Sequence, residues 1–356
     1  MAVEKIPVAV LGATGSVGQR FVQLLESHPW FELTALTGSE RRAGKMYRET
    51  CEWILPERLP EKAESLPILA TSPEATLAPV VFSALPSAVA RELEPKFAEA
   101  GAAVFSNAGA FRMEPDVPIL LPEINHPHLR LIETQRRRRR WKGFIVTNSN
   151  CTSTGVSIVL SALQSEFGVK KAFLVSLQAL SGAGYPGVPS LDIQDNVIPF
   201  ISNEEEKLES EPLKITGEMQ GDAVEPAPFT ISAHCNRVAV RDGHLVCMSV
   251  ELMRPADAGQ AAEALKAFQA PAEVRALPSC PDPVILVRDE SNRPQPQLDR
   301  MEGNGMTTVV GRIRPDPHLH LKMVVLSHNT IRGAAGGSIL NAELAAAQGL
   351  ISKTGA

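Results

Sequence analysis

The chain has 356 residues, enough for about two domains of ordinary size, each with its own core. With 44% hydrophobic and 21% charged residues it has a globular composition, and a net charge of −5 gives neither nucleic acid nor an anionic membrane a reason to bind. Its five cysteines are widely spaced, odd in number and without a C-x-x-C pair, which speaks against a disulfide framework and a zinc site; no metal is expected, and a reducing compartment fits best.

The N-terminus lacks the layout of a signal peptide, and no window approaches eighteen continuous apolar residues, so the expectation is a cytoplasmic protein. Residues 6–11 form a short β-branched apolar run, followed at once by Gly12-Ala13-Thr14-Gly15-Ser16-Val17-Gly18 and a helical pattern through Phe21, Val22, Leu24 and Leu25. Strand, glycine turn and helix together form the context in which such glycines let a backbone approach a pyrophosphate while the helix N-terminus supplies N–H donors. A second strand is predicted over residues 32–36. Its end is the position where a dinucleotide fold discriminates NAD from NADP. There the chain reads Thr37-Gly38-Ser39-Glu40-Arg41-Arg42: Ser39 and the two arginines favour the extra phosphate of NADP, while Glu40 leaves NAD open. Apolar runs at 80–85 and 102–105 flank a helical segment at 88–100, the βαβ rhythm of a parallel sheet. Ser83 and the segment from Ser106 to Gly109 fall at strand C-terminal ends, where open α/β sheets bind ligands. The five consecutive arginines at 136–140 are expected to form a solvated loop, because like charges repel.

The next strand, 144–146, runs into Thr147-Asn148-Ser149-Asn150-Cys151-Thr152-Ser153-Thr154-Gly155. Val156, Val159, Leu160, Leu163 and Phe167 then recur at helical spacing up to Gly168. Cys151 is thereby placed at a strand-to-helix junction, where unpaired N–H groups and the positive dipole end favour a thiolate. A strand over 173–178 brings Gln178 to its end, before Leu180-Ser181-Gly182-Ala183-Gly184. A long irregular polar region follows. Within it Glu204 and Lys207 lie one helical turn apart, and on residue type alone they read as a surface charge run. Segments 229–233 and 236–240 are strand-like, Asp242-Gly243 marks a hairpin-type turn with His244 just beyond it, and strands are predicted at 245–252, 284–287, 307–313 and 321–326. The patch around Arg293-Pro294-Gln295-Pro296 reads as a loop, and a helix is expected up to about residue 350. The fold class is therefore α/β, a Rossmann-type domain over 1–148 completed by 330–356, with an α+β substrate domain over 149–329.

Seven segments in order, GATGSVG at Gly12, SNAGAFRM at Ser106, NSNCTSTG at Asn148, SLQALSGAGYPG at Ser176, EEEK at Glu204, CNRVAVRDGH at Cys235 and NTIRGAAGGSILNAE at Asn329, resemble the aspartate-semialdehyde dehydrogenases, in particular their archaeal and fungal-like branch. The resemblance covers nearly the whole chain. It implies a second domain like that of glyceraldehyde-3-phosphate dehydrogenase, which also forms a homodimer or homotetramer. It further implies NADPH-dependent reduction of L-aspartyl-4-phosphate to aspartate semialdehyde with release of phosphate, in biosynthesis of lysine, threonine, methionine and isoleucine. Carried over by motif, Cys151 is the nucleophile, His244 the acid/base and Gln178 the group that positions the acyl carbon. Arg237 holds the α-carboxylate with Glu204 near the amine, Asn150 lines the substrate site, and Arg112 with Lys207 binds phosphate. Gly12, Thr14, Gly15, Ser16, Val17, Ser39, Arg41, Arg42, Ser83, Ser181, Gly182 and Asn329 line the NADP site. Malonyl-CoA reductase and N-acetylglutamyl-phosphate reductase share this thiol and nicotinamide logic and stay open as alternatives; a non-catalytic NADP-binding regulator fits poorly with Cys151, Gln178 and His244 together.

Overall fold

Six short apolar segments, too brief and too β-branched to make helices, line up side by side in the first part of the chain. They are β1 (Ile6–Leu11), β2 (Phe31–Thr37), β3 (Ile68–Leu69), β4 (Val80–Ser83), β5 (Ala103–Ser106) and β6 (Phe144–Thr147). The computed structural model describes residues 4–351. All six strands are parallel in the order β3-β2-β1-β4-β5-β6, the strand order of a dinucleotide-binding sheet. The buried residues of β4, β5 and β6 leave no polar alternation, as a sheet covered on both faces requires. Helix α1 (Ser16–Leu25) follows β1, α2 (Ser87–Ala100) joins β4 to β5, and α3 (Leu131–Arg139) precedes β6.

The arginine run corrects an expectation. Four of its five members form the last turn of α3, where positive charge suits the negative end of the helix dipole. Arg139 places its Nε and Nη2 2.6 and 2.7 Å from the two oxygens of Asp116, and Nη2 also reaches Glu114 at 3.1 Å. Arg136 lies over the Phe144 ring, 5.3 Å from its centroid. Only Arg137, Arg138 and Arg140 are exposed, so inward partners absorb the repulsion that argued for a loop.

The second compact unit comprises Leu121–His126 and Ser149–Gly333; the first gathers the chain up to Leu120, Pro127–Asn148 and the residues from Ala334 on. Helix α4 (Cys151–Phe167) opens the main part of the second unit and ends at Gly168, as its sequence predicts. Strand β7 (Val169–Gln178) follows, then α5 (Glu204–Ile215) within the stretch expected to be irregular, then a two-stranded ribbon of β8 (Glu218–Gln220) and β9 (Ala223–Glu225). The remaining elements are β10 (Thr230–Arg237), β11 (His244–Leu252), α6 (Ala258–Ala267), β12 (Ile285–Arg288), β13 (Thr308–Pro315) and β14 (Leu321–Ser327).

The large sheet runs β10-β7-β11-β14-β13-β12, and α4 packs against β11 and β14. Asp242-Gly243 is thus not a hairpin turn. β10 lies parallel to β7, β11 lies antiparallel to β7 on its other side, and the chain crosses over β7 to connect them. The two strand-like segments 229–233 and 236–240 are one strand that ends at Arg237. Part of the proline patch winds into a short helix, Pro296–Asp299, whose Asp299 accepts from Arg293 Nε at 2.7 Å. The chain finishes in α7 (Gly336–Ala347), back in the first unit against β4 and β5; residues 352–356, part of the segment assigned to that unit from sequence, lie outside the described residues. Among the described residues no helix is long and apolar enough to cross a membrane.

Candidate active site

Asn150 caps α4: its Oδ1 accepts from the N–H groups of Thr152 at 2.9 Å and Ser153 at 3.2 Å, which satisfies two of the donors that a helix start leaves free. Cys151 is the first residue of that helix. The cap is itself held from α5. Asn150 Nδ2 donates to Glu204 Oε1 and Oε2 at 3.1 and 2.9 Å, and the Asn150 backbone N–H donates to Glu211 Oε2 at 2.6 Å. Glu204 and Glu211 are seven residues, two helical turns, apart on one face of α5, and both are buried. Glu204 is therefore not part of a surface charge run. Besides Asn150 it accepts from Lys207 Nζ at 2.7 Å and from Gln178 Nε2 at 3.3 Å. Burial alone would raise its carboxyl, but Lys207, Asn150 and Gln178 outweigh burial and hold it below the ordinary carboxylate range.

His244 is the first residue of β11 and is buried. Its Nε2 stands 3.2 Å from Cys151 Sγ, and its Nδ1 accepts from the backbone N–H of Ala179 at 3.0 Å. Burial, then the nearby Arg237 and His328, push the imidazole down to about 3, so it is neutral near pH 7. Arg237 closes β10 and is pinned there by paired backbone bonds with Ile198; its Nη1 donates to Ala179 O at 2.7 Å. A Cβ placed on Gly182 would lie 2.8 Å from Arg237 Nη1 and 3.1 Å from His244 Nε2, so any side chain there would occupy the space in front of both. Asn329 ties the same loops together, accepting from Gly243 N–H at 2.9 Å and donating to Ser181 Oγ at 2.8 Å. Cys235, two residues before Arg237, is a different kind of thiol: burial pushes it up to about 11.

Nine of the residues singled out from sequence thus converge within the second unit: Asn150, Cys151, Gln178, Ser181, Gly182, Glu204, Lys207, Arg237 and His244, with Asn329 behind them. Arg112 belongs to the first unit, where Nε and Nη2 donate to the carbonyls of Asn148 and Asn107 at 2.8 and 2.7 Å. Reasoning from side-chain types missed Ala179, which acts through its backbone, and Glu211, which the seven-residue spacing from Glu204 would have pointed to once a helix was recognised.

In the first unit Gly12 adopts φ +73°, and a Cβ there would stand 2.9 Å from the Ala84 carbonyl, so only glycine fits the turn after β1. Gly15, Ser16 and Val17 open α1, and Thr14 Oγ1 accepts a hydrogen bond from Arg42 across the turn. Ser39 starts the 3₁₀ turn Glu40–Arg42, which leaves Arg41 and Arg42 exposed. Ser83 ends β4 fully buried, and its carbonyl accepts from Asn107 N–H at 3.0 Å. A close-approach glycine, a free helix start and two exposed arginines fit a dinucleotide with a ribose phosphate.

Models of the semialdehyde dehydrogenase NAD-binding domain and dimerisation domain match residues 7–132 and 160–332. An aspartate-semialdehyde dehydrogenase of Archaeoglobus fulgidus is 53% identical over 337 residues, 95% of this chain and 97% of its own length. The chain belongs to the aspartate-semialdehyde dehydrogenase family. The Schizosaccharomyces pombe member of that family is 44% identical over 99% of this chain and 100% of its own. The crystal structure of Candida albicans aspartate-semialdehyde dehydrogenase with NADP superimposes with a TM-score of 0.89 at 41% identity, covering 98% of this chain and 100% of that one. Membership of the aspartate-semialdehyde dehydrogenases brings a dimerisation domain with it, as expected of a homo-oligomer.

Proposed function

We propose that the chain reduces L-aspartyl-4-phosphate to aspartate semialdehyde through an acyl-thioester on Cys151, in the cytoplasm and in biosynthesis of the aspartate-derived amino acids, as a homodimer or a pair of dimers. The observation that carries this reading is Cys151 Sγ at a capped helix start, 3.2 Å from a buried neutral imidazole, with Arg237, Gln178 and Glu204 around it. The thiolate attacks the acyl carbon and phosphate leaves; splitting the reduction in this way is covalent catalysis. NADPH, when bound, supplies the hydride that reduces the thioester. Arg237 has a planar fork with nitrogens left over beyond Ala179, suited to a carboxylate. Lys207 turns from Glu204 to the phosphate, which frees a Glu204 oxygen for the substrate ammonium.

The test is phosphate-dependent reduction of NADP with aspartate semialdehyde, compared with malonic and N-acetylglutamic semialdehydes. Turnover with the free amino acid only is the expected result; equal turnover with the N-acylated compound would transfer the assignment to the sister reductase, whose substrate has no ammonium for Glu204. For the cofactor, Arg42→Ala is expected to raise KM for NADPH about tenfold or more and KM for NADH little, because a charge-assisted contact to the ribose phosphate exists only in the former. Steady-state kinetics with both cofactors checks this.

A further inference from the structure

We propose that Tyr47 and Gln19, two buried side chains beneath the glycine turn, are positioning residues for the cofactor: they hold carbonyls of the turn inward so that Thr14 N–H faces the pyrophosphate. The inference rests on residues 12–17 being the dinucleotide site and is independent of the substrate. A carbonyl oxygen turned toward a pyrophosphate repels it, whereas an N–H attracts it. Each of the three carbonyls that start the turn has a donor within the protein. Gly12 O accepts from Gly15 N–H at 3.1 Å, Ala13 O from Tyr47 Oη at 2.8 Å, and Thr14 O from Gln19 Nε2 at 3.1 Å. In a trans peptide the N–H points opposite to the C=O of the same unit, so Tyr47, by binding the Ala13 carbonyl, aims Thr14 N–H the other way. Ala13 N–H is occupied by Thr37 O at 3.0 Å and Gly15 N–H by Gly12 O, but among the described residues Thr14 N–H has no partner.

Both side chains are themselves anchored, and so they set the peptide and do not follow it. The backbone N–H of Tyr47 donates to Leu66 O at 2.9 Å, and its carbonyl accepts from Cys51 N–H at 2.9 Å. Burial pushes the phenol well above its ordinary value, so the hydroxyl keeps its proton and stays a donor. Gln19, on the first turn of α1, uses both ends of its amide: Nε2 also donates to Glu52 O at 2.8 Å, and Oε1 accepts from Ile54 N–H at 2.9 Å. The segment 47–54 is thereby strapped beneath the turn. Without the Tyr47 hydroxyl the Ala13 carbonyl loses its partner, and the peptide that carries Thr14 N–H is released.

Tyr47→Phe removes the hydroxyl and leaves the ring in place. The test is calorimetric binding of NADPH, NADH and adenosine 2′-phosphate to the substrate-free protein. Kd for NADPH and for NADH is expected to rise by the same factor, about five- to twentyfold, for the loss of one buried hydrogen bond. Kd for adenosine 2′-phosphate, which carries the ribose phosphate and no pyrophosphate, should stay within about twofold. Gln19→Met, of similar size but without the amide, is expected to act in the same direction. Equal weakening of all three ligands would show that the hydroxyl only supports the domain, and unchanged dinucleotide affinity in both variants would show that the turn holds itself; either result overturns the proposal. A parent protein that bound neither dinucleotide would overturn the cofactor site itself, and this inference with it.

Discussion

Replacing Cys151 by serine is expected to lower kcat by about 10⁴-fold or more while NADPH affinity stays within about twofold of the parent, since loss of a covalent nucleophile costs orders of magnitude. Serine keeps the side-chain size, and the cap on α4 does not depend on the sulfur: Asn150 bonds Thr152 and Ser153, and α5 bonds Asn150. The substitution is therefore a change of chemistry with little change of structure. A hydroxyl is far less acidic than a thiol, so little of the anion that attacks the acyl carbon forms in the serine variant at neutral pH. Rapid mixing with acyl phosphate, read as a burst of phosphate release, checks the step directly. The parent should show a burst matching the concentration of sites, and the serine variant none. Retention of more than about a hundredth of the rate would take the nucleophile's role away from Cys151. It would not pass to Cys235, which burial holds up near 11.

The parts legible in the sequence are those in which side-chain pattern and local geometry agree. The β1 run, the turn that only glycine at position 12 can make and the amphipathic start of α1 announce one another within twenty residues, and so do β6, the Asn150 cap and α4. Non-local pairing was not legible. Nothing in Arg241-Asp242-Gly243-His244 says that β7 separates the strands it joins, because an Asp-Gly turn looks the same in a hairpin and in a crossover. The arginine run misled for the opposite reason. Charge repulsion is a local argument, and Asp116, Glu114 and Phe144, which settle the matter, are remote in sequence or unremarkable alone. At the site, Cys151, His244, Gln178 and Arg237 were accessible as residue types, whereas the Ala179 backbone that orients both His244 and Arg237 has no side-chain signature at all.

Glu204→Gln is expected to lower kcat/KM by roughly 30–150-fold, the equivalent of about 2–3 kcal/mol for a hydrogen-bonded charge lost from a buried site. The carboxylate has about four acceptor positions, and Asn150 Nδ2 at both oxygens, Lys207 and Gln178 fill them. Glutamine replaces one oxygen by an NH₂ that faces the donor of Asn150, so the cap of α4 must turn and Cys151 with it. A drop in the iodoacetamide alkylation rate, which needs no substrate, is the signature of that displacement. Discrimination between aspartate semialdehyde and an N-acylated analogue should also weaken, because the carboxylate that rewards a free ammonium has gone. Because the Glu204 carboxyl is held below its ordinary value of 4.5, its contribution to stability is fully present above that pH and is lost as pH falls towards the lowered value of the folded state. The glutamine variant should lack that segment of the acid-unfolding curve. If alkylation were unchanged and only KM for the semialdehyde rose, Glu204 would be an ammonium ligand alone, and the support of the nucleophile would rest on Glu211.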